Sequence, residues 1–195
     1  MPENHLVVMV KFPAAGRVKT RLARDIGRVA AAWWFRHQLR ALLRRLEDPR
    51  WQIWLSVAPD TALDSSVWPA HLPRISQGQG DLGVRMRAAF EALPKGRACL
   101  IGGDIPTVQK HHIAASFAAL GAKDAVFGPA TDGGFWLVGF RRTRPLPPKL
   151  FQGVRFSTEH TLADSLASLG GQSHAVVAEL ADVDTAADLA SARSR

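Results

Sequence analysis

The amino-acid sequence predicts a Rossmann-like fold with three layers, α/β/α, around a mostly parallel sheet. Apolar runs of strand length alternate along the chain with longer segments of helical periodicity, as in βαβ units. Loops rich in glycine or charge follow several of the predicted strands. The chain has 195 residues, 47% of them hydrophobic and 22% charged, so we expect residues 1–195 to form a single globular domain.

The first half of the chain contains three predicted strands and two predicted helices. An uninterrupted apolar run opens the sequence, and a second run alternates apolar and polar side chains until Pro59 ends it. A weaker extended segment follows before the next helical pattern. Strands are therefore predicted at residues 5–10, 51–57 and 73–77, and helices at residues 28–47 and 81–93.

The second half continues the alternation. A buried strand is predicted to end just before Gly102, and the next helix to begin near Pro106, with Thr107 as its N-cap and Gly121 at its C-terminal end. Further strands are predicted at residues 98–101, 124–128, 135–140 and 174–178, and further helices at residues 158–169 and from residue 185. Because ligands bind at the carboxyl ends of parallel strands, the loops at residues 11–21, 78–83, 102–106 and 129–134 are the candidate binding segments.

Charge and cysteine content narrow the class of protein. The net charge is +8, and residues 1–50 hold eleven Lys and Arg against four Asp and Glu, a field that attracts phosphates of any kind. A single cysteine, Cys99, excludes a disulfide framework and a cysteine-based zinc site. No secretory signal or membrane-spanning run is recognisable. We therefore expect a cytoplasmic protein without a membrane partner.

The loop at residues 11–21 carries the cations Lys11, Arg17, Lys19 and Arg21 around a Pro/Gly turn directly after the first strand. Ammonium and guanidinium donors in such a loop are able to converge on a pyrophosphate. The loop is not a P-loop, because two residues separate Gly16 from Lys19 and a lysine stands where the first glycine is required. A solvated basic turn is the alternative interpretation.

The segment Gly78-Gln-Gly-Asp-Leu-Gly83 matches the dinucleotide-binding fingerprint in form, and Asp104 follows about 20 residues later. The strand before it is weak and polar, and the match falls in the third strand–helix unit, which argues against an NAD enzyme. The glycines still allow a ligand to approach the backbone, and the following helix offers N–H groups.

Three aspartate-containing segments are candidates for metal binding or proton transfer. Asp104, in Gly-Gly-Asp-Ile-Pro at the end of a buried strand, is placed to bind Mg²⁺ or Mn²⁺, with helix capping as the alternative. Asp132 lies in a Gly-rich segment where Phe135 and Trp136 would wall an acceptor pocket, but an Asp-Gly hairpin turn explains it equally well. Asp182 and Asp184 are candidates for further metal carboxylates, although Asp184 alone would also cap the last helix.

As a set, five segments resemble small GT-A-type glycosyltransferase-like proteins, which are related in fold to the molybdenum-cofactor and phospholactate nucleotidyltransferases. The segments are residues 11–22, 77–86, 102–106, 128–136 and 182–185, in the order of that family and nearly end to end. The resemblance implies a nucleotide-diphosphosugar transferase fold, a metal at Asp104, and a nucleotide-binding set of Lys11, Gly16, Lys19, Arg21, Gln77, Gly80, Asp81, Gly83, Arg85 and Gly103.

This resemblance implies a metal-dependent transferase that acts on a nucleotide-activated donor. Glycosyl transfer from a nucleotide sugar to a small acceptor is the leading hypothesis, with Lys19 and Arg21 stabilising the departing diphosphate and Asp132 as base. Nucleotidyl transfer from an NTP is the close alternative, because residues 102–106 contain one aspartate and not the paired Asp-x-Asp of many GT-A enzymes.

One helix departs from the family pattern. Residues 28–47 carry Trp33, Trp34 and Arg40 where a more aliphatic and acidic pattern is expected, which leaves the partner surface of this helix, and a homodimer, as open questions. A nucleic-acid surface formed by Arg36, Arg40 and Arg44 is a third and less favoured hypothesis, because it leaves the Gly/Asp loops unexplained.

Overall fold

The computed structural model of the chain describes residues 3–18, residue 20 and residues 22–180. Within this part of the chain, seven strands form the sheet: β1 (Asn4–Lys11), β2 (Gln52–Ala58), β3 (Arg74–Ser76), β4 (Arg97–Gly102), β5 (Ala125–Pro129), β6 (Phe135–Phe140) and β7 (His174–Val176). The helices are α1 (Leu22–Ile26), α2 (Arg28–Leu46), α3 (Leu82–Ala92), α4 (Lys110–Ala119) and α5 (Thr161–Ala167), and a short 3-10 turn covers Asp60–Ala62.

The sheet has the strand order β3-β2-β1-β4-β6-β5-β7. β6 runs antiparallel to both of its neighbours, β4 and β5, and the other pairs are parallel. The carboxyl ends of the parallel strands therefore lie at one edge, the carboxyl edge, together with the amino end of β6. The opposite edge is the amino edge. The predicted mostly parallel α/β fold is confirmed.

Both faces of the sheet are covered by helices. The side chains of β1 show this, because successive side chains of a strand point to opposite faces. Leu6, Val8 and Val10 of β1 belong to one buried cluster with α2 and α4, whereas Val7 belongs to a second cluster with Met86 and Phe90 of α3. The apolar run at residues 6–10 of β1 is thus explained by burial on two sides. The three layers predicted from the sequence are present.

The element bounds agree with the predictions to within a few residues, with two exceptions. The five-residue helix α1 was not predicted. The prediction that Thr107 caps the next helix was wrong: α4 begins at Lys110, and the Gln109 side chain accepts the backbone N–H of His112, while the Gln109 N–H donates to His112 Nδ1 at 3.0 Å. The preceding turns bury Ile105 and Val108, which delays the start of the helix. The helix predicted from residue 185 lies outside the described residues.

None of the described helices combines the length and the apolar character that a bilayer-spanning segment needs.

Candidate functional site

A cleft of about 790 Å³ opens at the carboxyl edge of the sheet, and we call it the central cleft. Loops that follow β1, β3 and β4 meet there with the start of β6, as expected from the parallel arrangement. Residues that the sequence singled out line much of its wall: Lys11, Arg17, Gln77, Gly80, Asp81, Arg85, Gly103, Asp104, Phe135 and Trp136. The fold therefore brings four separate segments of the chain to one cavity.

The basic loop forms one side of the central cleft. Lys11 ends β1 and pairs with Ala58 of β2, and the Phe12 N–H donates to the Ala58 carbonyl oxygen at 2.7 Å. A tight turn follows, in which Gly16 adopts a φ of 77° and Arg17 N–H donates to Ala14 O at 3.0 Å. This turn directs the chain back so that Arg17 lines the cleft. Lys19 and Arg21, also predicted in this site, lie outside the described residues.

Gln77 anchors the loop between β3 and α3. Its side chain is buried, and its amide nitrogen donates to Val10 O at 3.1 Å and to Ser56 O at 2.8 Å. The N–H of Gly78 donates to Ser76 Oγ at 2.9 Å and to Asp60 Oδ1 at 3.3 Å. The loop is thus tied to β1 and β2. The Gln77 side-chain N–H groups serve this anchoring, a role that sequence reasoning missed.

Three residues after Gln77 have different roles: one caps a helix, one packs against a neighbouring side chain and one lines the central cleft. Asp81 is the N-cap of α3, and its Oδ1 accepts the Val84 N–H at 2.9 Å, so the helix N-terminus carries its own carboxylate partner. Gly83 packs closely against Phe151, because a Cβ at Gly83 would lie 2.7 Å from the Phe151 Cβ. Arg85 donates from Nε to Gly80 O at 2.9 Å, which orients its guanidinium along the loop and into the cleft.

Asp104 lies just beyond β4 and is half-buried. A Cβ at Gly102 would lie 2.7 Å from Asp104 Oδ1, so the carboxylate turns back over the end of the strand and lies close to the Gly102 backbone. The Gly103 N–H donates to Met9 O at 3.1 Å and ties this loop to β1. Asp104 therefore lies in the wall of the central cleft on a loop that is hydrogen-bonded to β1.

The single carboxylate of Asp104 suits a hard divalent cation that completes its coordination with phosphate oxygens and water. Among the described residues, no group of three or more His, Cys, Asp or Glu side chains is arranged to hold a metal alone. Mg²⁺ sites commonly use one or two protein carboxylates together with substrate phosphates, so Asp104 beside the cationic loop fits that pattern. The two other predicted ligands, Asp182 and Asp184, lie outside the described residues.

A smaller cavity of about 200 Å³ adjoins the central cleft, and we call it the Asp132 cavity. Asp104, Phe135 and Trp136 line both spaces, so they form the boundary between them. Asp132 lies in the hairpin turn between β5 and β6, and its Oδ1 accepts the Gly134 N–H at 2.9 Å. Both interpretations from the sequence are compatible with this geometry, since the carboxylate stabilises the turn and also lines the cavity.

Glycines shape this second cavity at two positions. A Cβ at Gly128 of β5 would lie 2.4 Å from the Trp136 indole, so only glycine leaves room for the ring, whose Nε1–H donates to Ala178 O at 2.8 Å. Gly133 has a φ of 85° and packs against the backbone of Glu159, where a Cβ would approach Cα to 2.5 Å. The walls of the Asp132 cavity therefore depend on backbone approaches that only glycine permits.

A third cavity of about 690 Å³ lies on the β2 side of the central cleft, and we call it the Asp60 cavity. Lys11, Arg17 and Arg85 line both this cavity and the central cleft. Its remaining wall includes apolar side chains and one carboxylate, contributed by Phe12, Ala14, Ala58, Pro59, Asp60 and Ala62. Sequence reasoning missed residues 58–65, although they follow a parallel strand and reach the carboxyl edge by the same rule as the other loops.

Other reactive or charged groups lie apart from these cavities. Cys99 is fully buried in β4, and burial raises the pKa of its thiol far above the usual range, which makes it unsuitable as a nucleophile. Arg36, Arg40 and Arg44 lie on α2 and line none of the three cavities described above. Trp33 on the same helix is 58% exposed and stacks on His37, whereas Trp34 is partly buried.

Comparison with solved structures identifies the fold. A protein from Desulfovibrio desulfuricans G20, provisionally named a nucleotide-diphospho-sugar transferase, superposes with a TM-score of 0.83 at 28% identity over 95% of this chain and 84% of that chain. Rv0371C from Mycobacterium tuberculosis H37Rv, solved as a complex with manganese, has a TM-score of 0.58 at 19% identity, covering 100% of this chain and 99% of that chain. A CMP:2-keto-3-deoxy-manno-octonic acid synthetase complexed with CTP has a TM-score of 0.59 at 13% identity, covering 98% and 97%.

A comparison with curated protein sequences finds no match. The sequence profile of one family, described as uncharacterized protein conserved in bacteria (DUF2064), matches residues 39–158, which is more than half of the chain. That segment includes the Asp60 turn, the 77–85 loop, Asp104 and Asp132. The chain belongs to the DUF2064 family and has the α/β fold of nucleotide-diphospho-sugar transferases.

Proposed function

We propose that this protein is a divalent-metal-dependent transferase that acts on a nucleotide-activated donor, and that it transfers a glycosyl group from a nucleotide sugar to a small acceptor. The observation that carries the proposal is the distribution of charge along one groove formed by the three cavities. Lys11, Arg17 and Arg85 lie between the Asp60 cavity and the central cleft, whereas Asp104 and Asp132 lie at the opposite end.

The cationic side binds the diphosphate of the donor. Lys11, Arg17 and Arg85 provide ammonium and guanidinium donors around one space, and charge-assisted hydrogen bonds to phosphate are stronger than neutral ones. Lys19 and Arg21, from the same loop, are assigned to the negative charge that develops as the nucleoside diphosphate leaves. Such preorganised positive charge lowers the barrier only to the extent that it binds the transition state more tightly than the ground state.

Asp104 holds the metal ion in this proposal. Its carboxylate lies at the boundary between the diphosphate side and the Asp132 cavity, where Mg²⁺ or Mn²⁺ would contact donor phosphates. When bound, the ion neutralises charge on the diphosphate. The manganese complex of the M. tuberculosis protein of the same fold supports a test with Mn²⁺.

The Asp132 cavity takes the acceptor. Phe135 and Trp136 provide apolar walls, and Asp132 places a carboxylate beside the boundary with the central cleft. In the reaction, the acceptor hydroxyl oxygen forms a bond to the anomeric carbon, and the bond from that carbon to the diphosphate oxygen breaks. The hydroxyl proton passes to the Asp132 carboxylate, and a nucleoside diphosphate leaves.

Nucleotidyl transfer is the second candidate, and one specific feature favours it. The segment at residues 102–106 contains a single aspartate, and two proteins of the same fold carry names of cytidylyl-transfer type, the CTP-bound synthetase and a 4-diphosphocytidyl-2C-methyl-D-erythritol synthase. In this reaction an acceptor oxygen attacks the α-phosphorus of an NTP, and the basic loop holds the departing pyrophosphate.

Product analysis distinguishes the two candidates. The purified chain is incubated with Mn²⁺ and either nucleotide sugars or NTPs in the presence of a mixture of small hydroxylated and phosphorylated acceptors. Release of a free nucleoside diphosphate from a nucleotide sugar supports glycosyl transfer, and release of pyrophosphate from an NTP supports nucleotidyl transfer. A thermal-shift screen of the same nucleotides with and without Mn²⁺ tests the common premise, which fails when no nucleotide raises the melting temperature.

A further inference from the structure

The position of the cations decides which end of the groove receives the nucleoside. With the diphosphate at Lys11, Arg17 and Arg85, the nucleoside extends either into the Asp60 cavity or toward Asp104 and Asp132. The second direction ends in the 200 Å³ Asp132 cavity, whereas the Asp60 cavity offers about 690 Å³. Of the two cavities that flank the central cleft, the Asp60 cavity is therefore the one with room for the nucleoside.

The walls of the Asp60 cavity suit a planar base. Phe12 lies partly buried with its ring 6.4 Å from the Trp68 ring in an edge-on arrangement, which fixes the phenyl group at the cavity. Ala58, Pro59 and Ala62 add apolar surface. Binding sites of this kind combine apolar walls with a few placed polar groups that fix the identity and orientation of the ligand.

Asp60 is the polar group best placed to read the base. Among the described residues that line this cavity, it is the only carboxylate. It opens the 3-10 turn directly after cis-linked Pro59, and its Oδ1 accepts the Gly78 N–H at 3.3 Å, which joins the β2 turn to the 77–80 loop. A carboxylate has two oxygens with about four acceptor positions, so this bond leaves capacity for further donors.

We infer that Asp60 selects guanine as the base of the donor nucleotide, an inference that rests on the proposed function. An ionised carboxylate only accepts hydrogen bonds. Guanine presents two donors side by side, N1–H and the 2-amino group, which match the two carboxylate oxygens. Adenine and cytosine present one amino donor beside a ring nitrogen acceptor, and uracil presents one N–H between two carbonyl oxygens. Each of these three bases therefore places an acceptor against the carboxylate.

Binding to the wild-type protein alone tests the inference. Dissociation constants for GDP, ADP, CDP, UDP and inosine diphosphate are measured by calorimetry with Mn²⁺ present. GDP is expected to bind at least about tenfold more tightly than the other four nucleoside diphosphates, because each of them lacks at least one hydrogen bond to the charged carboxylate. Inosine diphosphate lacks only the 2-amino group and is expected to bind about tenfold more weakly than GDP.

The variant Asp60→Asn gives a second and independent measurement. Asparagine offers one donor and one acceptor, which matches the C2 carbonyl and N1–H of xanthine, so this variant is expected to lose the GDP preference and to bind xanthosine diphosphate more tightly than GDP. Asp64→Asn is the matched control, because Asp64 is exposed on the same loop and does not line the cavity. It is expected to retain the wild-type order of affinities.

The possible failures are distinguishable. A uniform loss of affinity for all nucleotides in Asp60→Asn would assign Asp60 to the ribose and overturn the inference while leaving the proposed function intact. Equal binding of GDP and inosine diphosphate, or tighter binding of a diphosphate with another base, would also overturn the inference and leave the proposed function intact. Absence of any nucleotide binding to the wild-type protein overturns the proposed function, and the assignment of guanine with it.

Discussion

The two edges of the sheet use similar charged residues for different purposes. At the amino edge, Arg142 donates to Pro94 O at 2.7 Å and to Leu93 O at 2.9 Å, and Arg87 donates to Glu91 Oε1 at 2.9 Å. At the carboxyl edge, Lys11 and Arg17 line a cleft of about 790 Å³. Arg87 and Arg142 also line a cavity of about 420 Å³ at the amino edge, but both use guanidinium N–H groups to satisfy carbonyl or carboxylate groups of the fold.

Left-handed backbone conformations occur at both edges. Arg142 adopts a φ of 56°, a left-handed conformation that is unfavourable for a residue with a side chain. Its guanidinium caps the C-terminal end of α3 by donating to the Leu93 carbonyl oxygen. At the carboxyl edge, Gly16, Gly78 and Gly80 have positive φ values, and so does Ser157, which lines the Asp132 cavity. Charge type by itself therefore does not distinguish the two edges. The hydrogen bonds that each cation makes to the fold do.

The largest expected effect is at Asp104. Replacement by Asn keeps the shape of the side chain and removes its charge, so Mn²⁺-dependent turnover is expected to fall at least about 100-fold, because a metal ion contributes several kcal/mol of charge stabilisation. Initial rates at saturating Mn²⁺ measure this. At the amino edge Glu91→Gln is the control, with turnover expected within about twofold of wild type, since an exposed ion pair contributes little. Full turnover by Asp104→Asn would remove this residue from the metal site.

A matched pair of lysines compares the two edges directly. Lys11→Ala is expected to weaken nucleoside diphosphate binding by about tenfold through loss of one charge-assisted contact, whereas Lys95→Ala at the amino edge is expected to leave the dissociation constant unchanged. Both lysines are exposed, so neither change is expected to lower the melting temperature appreciably. Calorimetric titration checks the prediction, and equal losses in both variants would mean that only the overall positive field matters.

Arg142 is expected to show the opposite behaviour, with an effect on stability and none on ligand affinity. Arg142→Ala removes hydrogen bonds to two carbonyl oxygens and is expected to lower the free energy of unfolding by about 1–3 kcal/mol. Arg142→Gly removes the same bonds but accommodates the φ of 56° without strain, so it is expected to be less destabilised than Arg142→Ala. Urea unfolding and nucleotide titration together measure both properties, and weakened binding in a folded variant would contradict the division between edges.

The smallest expected effect concerns the pH dependence contributed by His5 at the amino edge. Trp54 Nε1–H donates to His5 Nδ1 at 3.3 Å, which requires an unprotonated Nδ1, and burial lowers the pKa of the imidazole from its ordinary 6.5. The unfolded chain therefore binds a proton more readily than the folded chain, and stability falls as the pH drops below 6.5. Wild-type unfolding free energy is expected to decline more between pH 8 and pH 5.5 than that of His5→Gln. Parallel pH curves would show that His5 makes no such contribution.

Much of the fold follows from local pattern. The continuous apolar run in β1 and the alternating pattern in β2 both predicted a strand, because burial on two faces or on one face leaves a recognisable pattern. Gly or Pro marked the ends of most elements. The four candidate loops were predicted to meet because parallel strands end at one edge. The structure brings three of them to the central cleft, and the fourth, at residues 129–134, lines the adjoining Asp132 cavity. The start of α4 was not predictable from Thr107, since burial of Ile105 and Val108 is decided by neighbouring elements.

The roles of individual site residues were less accessible. Gln77 and Asp81 stand in a segment that resembles a ligand-binding loop, yet Gln77 anchors that loop to two strands and Asp81 caps α3. The hydrogen-bond partners of Gln77 lie on β1 and β2, and the partner of Asp81 depends on where α3 begins. The functional assignments of the site residues, including Lys19, Arg21, Asp182 and Asp184, remain predictions.

The sequence by itself determined the fold class, the basic character of the first loop and the presence of carboxylates beyond two strands, because these follow from periodicity, composition and the rule for parallel sheets. Only the tertiary structure decided that Asp60 shares a cavity with Phe12 and Arg85, and that Asp104 stands between two cavities. A shared cavity depends on distances between segments far apart in the chain. Sheet order and loop anchoring fix those distances, and no local pattern records them.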